Sequence, residues 1–574
     1  MKAISLITLI SSIALSVVAR DVEYPYAIVH QNAEGECHVE YEGSQRNRVL
    51  SAITPVNMEK RNLIDDHHSG VHVRSEESSY EISAITSDLL EQKVQSVCKT
   101  VKRETLQKRQ SAAQDELIPI VQNGDSKNRI DVVFMGDGYR SIERQRFVDD
   151  IKRLTDEMFV GNTFKSWLPL FNIWGLYRPS VESGIGVGGV PKNTAFGLYR
   201  DGTELRGIYS SKVSEARAVC NGLKGESKCD YPSLIGNDDY YGGLGGEFII
   251  ATRSPTSGTI VLRHEMGHNF ISVGEEYDGG SVYSGVNAAS SLANLGWKHW
   301  VTGDLKEQVA ALVVQDYSWY NLAKGAYKIN FTSKGGFKRW YLSITVSGAE
   351  TDGSFEAYLD GKKLAWKSAG VLDRSFYNWI EQNATLSSGN HVLEFRQGTA
   401  PGSGKPIRQL CSVSMYEYAG EPDFHWDNQY INAYPTWSDT KRKTYRPTNE
   451  FCLMRNMTSD SFCSVCKEGM WQQFLSKITL IDSLTATPSG SNVNFKLSPI
   501  PLAQFRKQPL SGEKYSVTWS QGGQVKAELN DKFEFSLPAT SAKGQWSATL
   551  KLTTLEVRKD TKNLLTASKA ITVQ

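Results

Sequence analysis

The stretch Thr259–Gly280, TIVLRHEMGHNFISVGEEYDGG, decides how the rest of the chain is to be read. It holds two histidines four residues apart, His264 and His268. Glu265 stands beside the first, and the acidic pair Glu275-Glu276 begins seven residues after the second. On a helix, residues four apart share one face and lie about 6 Å apart along the axis. Two imidazoles at that spacing can be aimed at one ion. Glu265 can take a proton from water activated at that ion without filling a coordination position. A zinc ion with an open position lowers the pKa of water towards neutrality and polarises a carbonyl group. The three residue types therefore serve three separate jobs.

A third ligand is still required. Continued as a helix, the chain would place Glu275 on the histidine face about 10 Å beyond His268, too far to share an ion. Gly274 resolves this if it ends the helix and turns the chain back, because glycine accepts the left-handed conformation of a helix stop. Either glutamate then reaches the metal. Glu276 is favoured and Glu275 is the alternative; spacing alone does not separate them. Ser257 or Thr259 marks the helix start. Tyr277 stands ready either to donate a hydrogen bond at the site or simply to pack. The plain alternative, a histidine pair satisfied on an ordinary helix, does not account for the glycine followed by acids.

The chain around this motif has 574 residues, too many for one core. Its 64 basic and 63 acidic residues nearly cancel, so no overall field recruits nucleic acid or an anionic membrane. Residues 1–19 read as a secretory signal peptide: Lys2, an apolar run from Ile4 to Val18, then small residues for cleavage. No later stretch reaches the ~20 apolar residues of a membrane span. The expectation is a secreted, extracellular protein, in which the eight cysteines are free to form disulfides. Sequons at Asn330, Asn383 and Asn456 would be usable as glycosylation sites in a eukaryotic secretory pathway.

Residues 20–109 read as an N-terminal domain or propeptide, with Cys37 and Cys98 able to pair and a helical pattern from Ser87 to Thr105. The segment leaves through the dibasic pairs Lys102-Arg103 and Lys108-Arg109, just before polar Gln110-Ser111-Ala112, an exit suited to a processing protease. From Arg129 an α/β layer begins. Ile130–Met135 reads as a buried strand, Gly136-Asp137-Gly138 as its turn, and Ser141 as the cap of a helix with Ile142, Phe147, Ile151, Leu154 and Met158 on its apolar face. Further strands follow at Phe171–Tyr177 and Glu247–Ala251, the last after the glycine-rich 241–246 and with an edge that could take up an extended peptide. Residues 326–400 change to alternating strands and glycine turns, a β-sandwich inserted into the region 110–478. Residues 479–574 read as a separate, immunoglobulin-like sandwich.

Several of these pieces in order resemble the secreted zinc metalloendopeptidases of the IgA-specific metallopeptidase family. They are VVFMGDGY, FNIWGLYRPSVESGI, YYGGLGGE, HEMGHNFISVGEEY and YRPTNEFCLMRNMTSDSFCSVCKE, spanning about 130 to 475 around the insertion. The resemblance implies a metzincin-like α/β peptidase domain, Zn2+ as cofactor, a protein or peptide substrate, and Glu265 as general base. Family members usually carry Asp-Glu where this chain has Glu275-Glu276. That departure fits Glu276 as ligand and leaves the longer first side chain without a role. Met454 stands where metzincin-like peptidases place a methionine beneath the zinc site, and a soft thioether suits that position as well as it suits any core. The insertion alters the surroundings of the cleft, so immunoglobulin A is not carried over as substrate. Cys463 and Cys466 alone suggest a redox pair or half a zinc knuckle; in an exported chain structural disulfides are favoured, with Cys220 and Cys229 another local pair. The competing reading is a secreted glycan-binding or adhesive protein with a residual metal centre. Its contacts would be exposed sandwich aromatics such as Trp340, Tyr341, Tyr377 and Trp379.

Overall fold

A computed structural model describes residues 23–31, 35–46, 53–56, 78–83, 87–102, 115–223, 225, 227–280, 283–381 and 385–574. The expected signal peptide, Arg103, the Lys108-Arg109 pair with Gln110, and the Asn383 sequon lie outside them. The chain divides into two compact units, the first made of residues 1–58 and 71–109 and the second of the remainder.

In the first unit, strands Glu23–Gln31, Glu36–Arg46, Ile53–Val56, Ser78–Ser83 and Thr100–Lys102 form a five-stranded sheet, and a helix spans Ser87–Val97. Val29, Ile82, Leu90 and Val94 make its small core beside the Cys37–Cys98 disulfide, the pairing expected from sequence.

The second unit is built on a six-stranded mixed sheet. In chain order its strands are β1 (Glu116–Val121), β2 (Ile130–Asp137), β3 (Phe171–Tyr177), β4 (Tyr231–Gly236), β5 (Gly243–Leu244) and β6 (Ile249–Thr252). Their spatial order is β5-β6-β4-β2-β3-β1. The inner four run parallel, and β1 and β5 pair antiparallel at the two ends. Every residue of β2 is buried, because the sheet is covered on both faces. Alternation sends Val132 and Phe134 into one core and Val133 and Met135 into another. Helices α1 (Arg144–Met158) and α3 (Gly258–Phe270) contribute to the first core, and α2 (Val213–Gly222) to the second.

Two local expectations need correction. Helix α1 begins at Arg144 after a short 3-10 turn, and Ile142 lies on that turn, 79% exposed, rather than on the apolar face. The turn is fixed by Glu143, whose carboxylate accepts from the Arg140 amide, so Ser141 is not the cap. Secondly, β6 is not the free edge of the sheet. Gly243-Leu244 pairs with Ala251 and Ile250 and covers it. Glycine is needed there, since a Cβ on Gly243 would come within 2.6 Å of the Ile250 carbonyl oxygen and 2.3 Å of Val261 on α3.

The inserted sandwich is larger than the sequence suggests. Its sheets begin with Ala310–Asp316 and end with Gln409–Tyr418, and these two strands pair with each other across the whole insertion. Asn330 is exposed on one of its strands. The C-terminal segment forms sheets of three and four strands. It is not set apart: its residues Ile500, Tyr515 and Trp519 belong to the same continuous core as Phe270 and as Trp471 of α4 (Ser464–Lys477). Arg129 reaches Asp482 through two hydrogen bonds of 2.7 and 2.8 Å, and Glu556 accepts from Ser166, Lys467 and Trp471. The molecule is thus multidomain and mostly β-sheet. No helix among the described residues is long and apolar enough to cross a membrane.

Candidate metal centre

Helix α3 carries His264 and His268 on one face, with ring centroids 5.0 Å apart. Helix α3 packs on the sheet through Val261, Leu262, Met266 and Phe270, which leaves the histidine face for the site. His264 is fully buried and the His268 side chain is 16% exposed. Glu265 is buried within the same turn.

The helix ends sooner than the sequence suggests. Phe270 is its last residue, and Ile271 already has extended backbone with φ −142° and ψ 164°. Gly274 is not in the left-handed region. What requires glycine there is close approach: a Cβ would lie 3.0 Å from the Ser284 amide nitrogen and 3.1 Å from the Ala288 side chain. Asn287 clamps this point, accepting from the Gly274 amide at 2.7 Å and donating to its carbonyl at 2.9 Å. The chain then runs back beneath the histidines.

Its direction selects Glu275. The Glu275 carboxylate lies 2.9 Å from His268 Nε2 and 3.4 Å from His264 Nε2, and the three donor atoms fall within 4.8 Å of one another. Glu276, favoured in the sequence, does not lie with the two histidines. In extended chain, neighbouring side chains point to opposite sides. Glu276 lies on the other side, in a second buried cluster with Cys452, Cys463 and Cys466. Asn287 Nδ2 donates to its Oε1 at 2.8 Å. Burial holds the Glu276 carboxyl well above the usual carboxylate range, and Cys452 adds to this while Asn287 and Arg446 oppose it. The same burial raises the Cys452 and Cys466 thiols. For Cys463 burial also pushes upward, but hydrogen bonds from the other two thiols outweigh it and draw the group down. Cys452, Cys463 and Cys466 form no disulfide, contrary to the expectation for Cys463 and Cys466, whereas Cys220–Cys229 is paired.

Tyr277 is half-buried, its ring 6.3 Å from that of His264. Its carbonyl accepts from the Tyr283 hydroxyl. Met454 is buried beneath α3: a Cβ on Gly267, between the two histidines, would lie 3.0 Å from its sulfur. The Met454 carbonyl accepts from the Glu276 amide at 3.1 Å. Arg455 completes the support, donating to the Glu276 carbonyl and to the buried Asp278 carboxylate.

One contributor comes from the insertion. The Asp373 carboxylate, buried between sandwich strands and sheet, accepts from Ser254 Oγ at 2.7 Å and Ser257 Oγ at 2.6 Å, just ahead of α3, and from the amides of Tyr241 and Arg374. Arg374 stacks over Tyr241 and Trp319. Asn287 and Asp373 are absent from the reading of the sequence, and no local signal marks either. Both act on residues distant in the chain. The four aromatics proposed as glycan contacts are not exposed: Trp340 and Tyr341 are buried, Tyr377 and Trp379 half-buried, and Trp379 donates to the Ala365 carbonyl. Glycan binding therefore finds no support.

Part of the chain has a counterpart among known families. Residues 118–302 match the family described as IgA Peptidase M64. The resemblance drawn from the sequence is thus borne out, and the match supports a metallopeptidase. No curated protein matches the chain. Among solved structures, the GH26-CBM35 β-(1,4)-mannanase of Podospora anserina is 13% identical over 20% of this chain and 27% of that one, with TM-score 0.13. A GH2 β-galacturonidase from Eisenbergiella tayi is 14% identical over 40% and 33%, with TM-score 0.12. The chain covers a third or less of these proteins' own lengths, and likenesses so slight carry no argument.

Proposed function

We propose that the chain is a secreted zinc-dependent endopeptidase with a metzincin-like centre, in which His264, His268 and Glu275 hold the metal. The observation that carries this reading is the convergence of two imidazoles and one carboxylate within 4.8 Å, with Glu265 buried beside them on the same helix. Two nitrogens and one oxygen are the donor set of a catalytic zinc that keeps an open position. Bound there, zinc would supply a Lewis acid that acidifies water and polarises the scissile carbonyl. Glu265 takes the proton from the attacking water and passes it to the departing amine. Asn287 and the Met454 carbonyl fix the segment that presents Glu275, and the Met454 sulfur packs under the helix that presents the histidines.

The test is a pair of variants assayed on unfolded casein, with and without a chelator. Glu265→Gln is nearly isosteric and should keep its zinc while turnover falls by about 10²–10⁴-fold, the usual contribution of a general base. Glu275→Gln should lose the metal. Unchanged turnover in Glu265→Gln would remove the base from the mechanism. Zinc retained in full by Glu275→Gln would remove the third ligand.

Residues 20–109 are on this reading a removable propeptide, supported by the sheet and small core that the first unit forms by itself. N-terminal sequencing of active secreted protein should then begin at or near Gln110. A start near Arg20 in fully active material refutes removal.

A further inference from the structure

The histidine site uses Glu275 and leaves its neighbour unexplained. Glu276 is completely buried, Asn287 holds one of its oxygens, and the other takes no hydrogen bond from a nitrogen or hydroxyl among the described residues. Around it stand Cys452, Cys463 and Cys466, all fully buried and none in a disulfide. Burying a carboxylic acid against three thiols costs desolvation and gains few good hydrogen bonds.

We propose that Cys452, Cys463, Cys466 and Glu276 form a second, structural zinc site, closed on all four sides and separate from the histidine centre. The spacing fits. A tetrahedral zinc with bonds to sulfur of about 2.3 Å has sulfur–sulfur edges of about 3.8 Å. Cys452 Sγ and Cys466 Sγ are 3.8 Å apart, Cys466 Sγ and Glu276 Oε1 are 3.9 Å apart, and the four ligand atoms all lie within 4.8 Å. The surroundings fit as well. Cys463 is the N-cap of α4 and Cys466 lies in its first turn, where exposed amides and the helix dipole favour thiolates. The Cys463 amide donates to Cys452 Sγ at 3.4 Å, a bond that steadies a thiolate ligand. Asn287 orients the carboxylate, as groups behind a metal ligand commonly do. Three thiolates and a carboxylate around one dication leave a net charge of about −2, the same as in a four-cysteine zinc site, and the buried Arg446 acts on Glu276 in the compensating sense. A disulfide is the competing use of these sulfurs. It would consume two of the three and leave the last thiol buried against Glu276.

The site's role follows from the backbone. Glu275 and Glu276 are adjacent, so their Cα atoms are about 3.8 Å apart. A metal that fixes Glu276 also fixes the point from which Glu275 reaches the histidines. Cys452 lies two residues before Met454 and draws the methionine segment into the same anchor.

The experiment is zinc analysis of the secreted full chain, purified without chelator, with X-ray absorption at the zinc edge. Wild type should carry about two zinc ions per chain. A His264→Ala/His268→Ala variant should keep about one, with zinc–sulfur scattering near 2.3 Å. That variant leaves the cysteine cluster untouched, so the result does not depend on whether a cysteine variant folds. Cysteine variants add a second arm: Cys463→Ser/Cys466→Ser should lose the sulfur-bound zinc. Absence of sulfur scattering from bound zinc overturns the proposal. So does a disulfide between any two of the three cysteines in non-reduced peptide mapping. Because one site binds through nitrogen and oxygen and the other mainly through sulfur, failure of this proposal is distinguishable from failure of the peptidase reading.

Discussion

Replacing Asp373 by alanine should loosen the start of helix α3, which carries the two histidines, although the residue belongs to the inserted sandwich. Its carboxylate accepts four hydrogen bonds, two from the hydroxyls of Ser254 and Ser257 and two from the amides of Tyr241 and Arg374. The hydroxyls can turn to other partners; Ser254 Oγ already accepts from the Ser257 amide at 3.0 Å. The two amides cannot turn. A buried donor left unsatisfied costs about 1–3 kcal/mol, so two give about 2–6 kcal/mol. Relief from holding a buried carboxylate offsets part of this, since burial raises the Asp373 group despite its four donors. We expect a net loss of about 2–4 kcal/mol. The readout is hydrogen exchange in peptides covering residues 254–270, where that loss corresponds to protection lower by about 30- to 1,000-fold if exchange follows local opening. Zinc affinity at the histidine site should weaken with it. If protection across 254–270 is unchanged while the sandwich itself loosens, the coupling between insertion and helix is wrong.

Three further outcomes follow from contacts around the site and core. Asn287→Asp removes two donors and sets a second carboxylate against Glu276, so histidine-site zinc affinity should fall by at least about tenfold, at the 1.4 kcal/mol per decade of binding; unchanged zinc titration refutes this. Gly267→Val overpacks against Met454 and Phe462 and should destabilise by about 1–3 kcal/mol, with Met454→Ala in the same chain recovering part of the loss; strict additivity of the two changes in denaturant unfolding would count against contact. Asp482 is held below its ordinary value: burial opposes this, but hydrogen bonds from Arg129 and Asn128 prevail. A depressed carboxyl contributes stability that is present above its unfolded value, about 3.9, and lost as pH falls through the folded value. The stability gap between wild type and Asp482→Asn should therefore close below about pH 4, and a gap that persists or widens there would contradict it.

How far the sequence could be read depends on whether the signal was local. Phe171–Tyr177 is found as expected, and Ile130–Met135 is extended by two residues, because a short, mainly apolar run has one buried reading in a covered sheet. His264, Glu265 and His268 follow from helical spacing. The ends of the insertion carry no local signal, since Ala310–Asp316 and Gln409–Tyr418 take their meaning from pairing with each other. Ile142 fits the helical pattern yet lies outside the helix, because a capping turn can push an apolar residue outward without changing the pattern behind it. Nothing in the alternation of the C-terminal strands announces that Trp519 shares a core with Trp471.

The choice between Glu275 and Glu276 shows why a ligand cannot be assigned by ranking two acids on one scale. Both are buried, and both are ligands in chemical type. What separates them is where the helix stops. Had it run to Gly274, the turn would have had one residue in which to bring a carboxylate back. Because it ends at Phe270, four residues of non-helical chain, Ile271 to Gly274, precede the pair, and the two side chains reach different clusters. An acid on each side is useful only if each side offers something to bind. On one side stand two imidazoles from the same helix; on the other stand three sulfurs, the nearest of them Cys452, far along the chain beyond the insertion. The sequence displays the first set within a single turn and scatters the second across the fold. Two acidic side chains that look redundant in sequence are therefore, in three dimensions, addressed to different partners, and substituting one cannot stand in for substituting the other.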